Sequence, residues 1–156
     1  MSTIRKAFTL IELLITVSIL TLVGAFIIPN YQLILTQLQL TSATQQVVDL
    51  LRYNAQRTVT EQIPYGTILT ANATTIPLYK CTDGTCATTQ SLTSYTFPTN
   101  IKIGGVSFSG QSDIRFATSG APNYSGTLTI TDMSRNRSRN ILVRPSGTVL
   151  MSGGEF

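Results

Sequence analysis

The chain has 156 residues, enough for one ordinary domain and an accessory element, and only 12% of them are charged, about half the usual share for a soluble domain. Its net charge of +4 falls to about +2 without Arg5 and Lys6, too weak a bias to imply nucleic acid by itself. With no His and no Trp, the commonest general base and the commonest zinc ligand are both missing.

Taken in chain order, the first element is apolar. From Phe8 to Ile28 the only ionisable side chain is Glu12. At about 1.5 Å per residue this stretch spans a hydrocarbon core of ~30 Å. Arg5 and Lys6 precede it, so the positive-inside rule keeps the N-terminus cytoplasmic and sends everything after Pro29 to the far side. A carboxylate at that depth costs roughly 2.5–3.5 kcal/mol, so Glu12 calls for a compensating partner. The alternative is a secretory signal peptide cut near Val23-Gly24-Ala25. Against it, the stretch is long for a signal core, carries an acid, and leads into further helix. Residues 31–62 contain no Gly or Pro, and Leu40, Ala43, Val47, Leu51, Ala55 and Val59 recur at three- and four-residue steps. Together these predict one helix of roughly 80 Å at ~1.5 Å per residue, apolar all round in its first half and amphipathic in its second.

After Gln62 the period changes. Gly, Pro, Asn and Asp punctuate short β-prone runs at Tyr65–Thr70, Thr75–Tyr79, Ile101–Phe108, Ile114–Ala117, Thr127–Thr131, Asn140–Arg144 and Thr148–Met151. The expected fold is α+β: the long N-terminal helix packed through its amphipathic half on a C-terminal antiparallel β-sheet domain. The expected divisions are residues 8–29 as the transmembrane segment, 30–62 as the amphipathic helix and 63–156 as the β-rich domain, with residues 1–7 ahead of them.

Cys81 and Cys86 bracket a loop centred on Asp83-Gly84, a tight-turn signal that brings the two together. In an oxidising compartment the natural reading is a disulfide, worth about 2 kcal/mol for so short a loop in the chain-entropy model. A zinc site would need further ligands, and there is no His and no other Cys. Arg135, Arg137, Arg139 and Arg144 gather near the C-terminus with no acid between Met133 and Ser152. The first three are expected on a flexible loop, either as a solvated hairpin tip or as a phosphate-binding loop giving weak, salt-sensitive DNA contact. No nucleophile beside a base and no phosphate loop before a helix is evident, so the reading is a non-enzyme without metal or cofactor.

Lys6-Ala7-Phe8-Thr9-Leu10-Ile11-Glu12 resembles the prepilin processing site of type IV pilins and type II secretion pseudopilins. The resemblance implies cleavage by a prepilin peptidase between Ala7 and Phe8, with methylation of the new Phe8 amine. Ala7 stands where the family usually has Gly. It further implies that Glu12 meets the N-terminal amine of a neighbouring subunit during filament assembly, each charge the other's only good partner at low dielectric. Pro29 falls where many pilins carry a residue that kinks or locally melts the helix in the filament. Leu50-Leu51-Arg52-Tyr53-Asn54-Ala55-Gln56-Arg57 and the ending Ile141-Leu142-Val143-Arg144-Pro145-Ser146-Gly147-Thr148-Val149 are similar to the GspH/FimT-like minor pilins and pseudopilins. That branch implies a structural subunit at or near a filament tip. It is first anchored in the bacterial inner membrane by a single pass, with its domain periplasmic, and is then taken into a pilus or pseudopilus. Partners would be other pilins, the peptidase and the inner-membrane assembly platform. A pilus-borne DNA receptor is the alternative; the Gly-Arg-x-Arg motif of DNA-binding relatives is replaced here by Gly147-Thr148-Val149-Leu150, so DNA contact would fall to residues 135–139.

Overall fold

The computed structural model describes residues 9–152, with the backbone alone for residues 26–30. Thr9 opens α1 (Leu10–Glu61) by accepting the Leu13 and Glu12 amides on its carbonyl at 3.2 and 3.1 Å. The helix stops where Gln62 turns left-handed (φ 57°), its side-chain amide donating back to the Val59 carbonyl, with Pro64 two residues on. The chain divides into two compact units, residues 1–38 and 39–156.

In the first unit Leu10, Ile11, Leu13, Leu14, Ile15, Val17, Ile19, Leu20 and Leu22 all lie on the surface. Its hydroxyls are satisfied internally: Thr16, Ser18 and Thr21 donate to the carbonyls of Leu13, Leu14 and Ser18 at 2.7–2.9 Å. Such back-bonding leaves these three hydroxyls with no need of water. Among the described residues no helix is long and apolar enough to cross a membrane. The stretch expected to do so, Phe8–Ile28, begins outside them and ends among residues described by backbone alone.

The second unit carries the core. Eight strands form the expected antiparallel β-domain, divided into two four-stranded sheets. The first sheet comprises β1 (Tyr65–Ile68), β2 (Thr75–Cys81), β3 (Thr89–Thr96) and β5 (Asp113–Phe116), in the order β3-β2-β1-β5; the second comprises β4 (Ile101–Ser107), β6 (Gly126–Asp132), β7 (Arg137–Val143) and β8 (Val149–Ser152), in the order β4-β6-β7-β8. Leu40, Ala43, Val47 and Leu51 form the buried stripe of α1. They share one cluster with Ile76, Ile114 and Phe116 of the first sheet and Ile103, Leu128, Ile130 and Ile141 of the second. β3 was not foreseen: its sequence, TQSLTSYT, has no apolar alternation, and seven of its eight residues are exposed.

Three of the four sheet edges are closed by other parts of the unit, which keeps backbone groups from recruiting stray strands. Beside β5, Asn123 exchanges amide and carbonyl contacts with Arg115, its side-chain oxygen taking the Arg115 amide at 2.8 Å. Beside β4, Asn72 and Ala73 bond Ile103 at 2.7 and 3.0 Å. On β8 the Arg52 guanidinium donates twice to the Val149 carbonyl, at 2.7 and 3.2 Å, fastening α1 to the second sheet. β3 forms the remaining edge.

Candidate functional site

Ala7 and Phe8 lie outside the described residues. Glu12 sits in the first turn of α1 on an exposed position, and its amide donates to Thr9 Oγ1 at 3.3 Å. Thr9-Leu10-Ile11-Glu12 therefore has the form of a capping box, with the carboxylate in the turn where the free amides and positive end of the helix dipole favour an anion. That gives Glu12 a local use beside the one the resemblance assigns. Between Thr9 and Leu51 there is no Lys or Arg, so this part of the helix supplies no cationic side chain for it. At Pro29 the helix continues without a break.

Cys81, at the end of β2, is bonded to Cys86, with their Cα atoms 4.7 Å apart. The loop between them is built less by Gly84 than by Asp83. The Asp83 carboxylate accepts five hydrogen bonds, from the amides of Thr85, Ala87 and Thr88 and the hydroxyls of Thr85 and Thr88, at 2.7–3.0 Å. These donors, Thr88's hydroxyl foremost, hold the carboxyl far below the usual carboxylate range. Thr82 and Thr88 close the neck, backbone to backbone at 3.0 Å and hydroxyl to hydroxyl.

The arginines are not one loop. The β6–β7 turn covers Met133–Asn136, so only Arg135 lies on it; Arg137 and Arg139 are strand residues, paired in register with Asp132 and Ile130. The correction has a physical cause: β6 offers a full ladder, and backbone pairing outweighs the weak β-preference of Ser, Asn and Arg. Arg137 and Arg139 fall on the same face as buried Ile141 and Val143 and are themselves half-buried. Arg144 belongs to the β7–β8 turn, whose Gly147 donates to the Arg144 carbonyl at 3.0 Å. Five residues of largely extended chain separate it from Arg139 and seven from Arg137, about 17–23 Å.

One cluster was missed in the sequence. Arg57 lies 4.9 Å from the Tyr65 ring centroid and 5.8 Å from that of Tyr53, and pairs with Glu61 at 2.5 Å, while the Tyr65 hydroxyl donates to the same carboxylate. The Arg57 hydrogen bond, then that of Tyr65, pulls the Glu61 carboxyl below its ordinary range. The spacing of Tyr53, Arg57 and Glu61 at four-residue steps was a readable signal; Tyr65, on β1, joins them only through the fold.

Residues 3–28 match the family model for the prokaryotic N-terminal methylation motif. The chain thus carries a prepilin-type methylation motif, and the fold that follows it is one found in minor pilins and pseudopilins. The fold is shared with the minor pseudopilin EpsH from the type 2 secretion system of Vibrio cholerae (TM-score 0.60, 10% identity, covering 73% of this chain and 96% of EpsH). A second EpsH structure gives a TM-score of 0.58 at 12% identity, covering 76% and 96%. The type IV minor pilin FimU of Pseudomonas aeruginosa is equally similar, with a TM-score of 0.58 at 13% identity, covering 76% of this chain and 91% of FimU. No curated protein matches the sequence significantly. At such identities the pilin-type likeness is one of fold, and it takes in both sheets and the buried stripe of α1 only as architecture.

Proposed function

We propose that the chain is a minor pilin or pseudopilin, a structural subunit taken from the inner membrane into a type IV pilus or type II secretion pseudopilus at or near its tip. One conjunction carries the reading: the methylation motif at residues 3–28 opens a helix whose large apolar side chains are exposed among the described residues, and the domain that follows has a fold found in minor pilins and pseudopilins. A single pass with the domain periplasmic follows from Arg5 and Lys6. In this reading the peptidase cuts between Ala7 and Phe8, and Glu12 meets the Phe8 amine of a neighbour. No chemistry is required of the domain; it is a packing unit.

The test is the mature N-terminus and the location of a variant. Mass spectrometry of filament-associated protein should find N-methylated Phe8, and an N-terminus at Phe26 would return the chain to a secreted protein. Glu12→Ala should remain in membranes, since it removes an insertion cost, but disappear from the sheared filament fraction. Full recovery there would remove Glu12 from assembly.

A further inference from the structure

We infer that β3 is the contact through which two copies of this chain pair, edge to edge, into one continuous sheet. All the residues concerned lie in the second unit. β3 is the open edge of the first sheet, and seven of its eight residues are exposed. From Gly84 to Ile101 there is no Asp, Glu, Lys or Arg. Edge strands are normally guarded by charge or Pro, since their free backbone groups recruit other strands. This strand carries neither guard.

What it carries is a bulge. The register with β2 shifts between Pro77 and Tyr79, so that Leu92 and Thr93 both stand opposite Leu78. In an antiparallel ladder, alternate residues turn their backbone groups toward one neighbour and then away from it. Thr88 accepts the Thr82 amide at 3.0 Å, and Phe97 donates its own to Thr74 at 2.9 Å, so Gln90 and Tyr95 also face β2. The backbone groups of Thr89, Ser91, Ser94 and Thr96 therefore face outward, and their side chains share one face of the sheet. Among the described residues none of these four hydroxyls has a hydrogen-bond partner.

The outward groups follow one another at steps of two, three and two residues, an order that reads the same in both directions. That order selects the occupant. A regular strand, with outward groups at every second residue, loses phase at the bulge. A second β3, running antiparallel, brings the same three-residue step to the same place. About a twofold axis between Leu92 and Thr93, Thr89 meets the partner's Thr96 and Ser91 meets the partner's Ser94. Each such pair exchanges two backbone hydrogen bonds and sets hydroxyl beside hydroxyl, a favourable cross-strand combination. Growth stops at two, because β5 at the far edge is already covered by Asn123 and a twofold contact closes on itself. Successive subunits of an open filament are related by a screw and cannot meet in this way. The pair is therefore a state of the chain outside the filament, a consequence that rests on the proposed function.

The experiment uses the full chain in membranes, with two differently tagged copies co-expressed and then oxidised. Cys81 and Cys86 are bonded to each other and offer no free thiol. Ser91→Cys on one copy and Ser94→Cys on the other bring Cα atoms to about 5.5 Å, within reach of a disulfide. Either variant paired with itself sets them three strand residues apart, about 10 Å, beyond the ~7 Å limit. The mixed pair should cross-link roughly tenfold more than either variant alone, and only to dimers. Thr96→Pro on both copies removes an N–H that faces away from β2, a position where an edge strand tolerates Pro. It should lower the cross-link several-fold and leave the melting midpoint unchanged. A synthetic TQSLTSYT peptide should compete, and a regular Thr-Val repeat of the same length should not. No cross-link, equal yields from mixed and self-paired variants, an undiminished yield with Thr96→Pro, or a ladder of larger species overturns the inference. So does competition by the regular repeat, which would make β3 a site for any extended peptide. The mature N-terminus is read independently, so failure of this contact and failure of the pilin reading are distinguishable.

Discussion

The two units of this chain are made from the same apolar residue types and treat them oppositely. Leu13 is 58% exposed and Leu51, on the same helix, is 0% exposed. Each fully buried Leu gains roughly 1.5–3 kcal/mol from leaving water, and among the described residues that gain falls to the second unit, which holds the whole buried cluster. An apolar helix surface with its hydroxyls already satisfied suits lipid or the helices of other subunits and is poorly suited to water. Along one continuous helix, residues 39–61 contribute a buried stripe to the core, while the described side chains of residues 10–38 are largely exposed.

The sharpest way to break that contrast is to truncate both sides of it. Leu51→Ala should cost about 2–5 kcal/mol of unfolding free energy in the domain. Ile15→Ala should leave the domain's denaturant midpoint unchanged while weakening filament recovery. Equal effects of the two on domain stability would mean that residue 15 has a partner in the core.

Next in size is the disulfide loop, where two devices hold the same turn. Replacing Cys81 and Cys86 by Ser should cost at most about 2 kcal/mol, the chain-entropy value for so short a loop. Asp83→Ala should cost more in that background than with the bridge intact, because the five-fold acceptor then holds the turn alone. A double-mutant cycle in urea measures the difference, and strict additivity would show the two act independently.

A smaller loss, about 1–2 kcal/mol, is expected for Arg52→Met, which keeps the stem and removes both bonds to the Val149 carbonyl. Hydrogen exchange should quicken along β8 before it does along β6. Protection lost evenly across the second sheet would instead mark Arg52 as a general packing residue.

The smallest effects are those of pH on the second unit alone. Glu61 and Asp83 have carboxyls held low by their donors, so the stability they add is present above an unfolded value near 4 and is lost as pH falls through the lower folded ones. Tyr65, Tyr79 and Tyr95 are shifted upward, chiefly by burial, so their contribution is complete below about 10 and is lost as pH rises toward the folded values. The melting midpoint of residues 39–156 should therefore decline at both extremes. With Glu61→Gln the acid-side decline should be shallower; an unchanged slope would assign it to other carboxylates.

The local pattern in the sequence was enough for residues 31–61 of the helix, because three- and four-residue apolar spacing without Gly or Pro permits little else, and a nearly uninterrupted apolar run announced the part before Pro29. Most strand positions followed from alternation, as at Thr127–Thr131, which became β6 with one residue added at each end. The bond between Cys81 and Cys86 was also local, since five residues and a turn leave the sulfurs near each other. What depended on the tertiary structure was everything whose signal lies in a partner. β3 is a strand because β2 offers it a ladder, and an edge strand facing solvent needs no apolar period to announce it. Arg137 and Arg139 read as loop until β6 paired with them, and the same pairing put Arg144 at the opposite end of the strand. The division of the strands into two sheets, and the delivery of Tyr65 to Arg57 and Glu61, required chain segments distant in sequence to meet. Periodicity reports which face of an element is buried, whereas the identity of what buries it is a property of the packed chain.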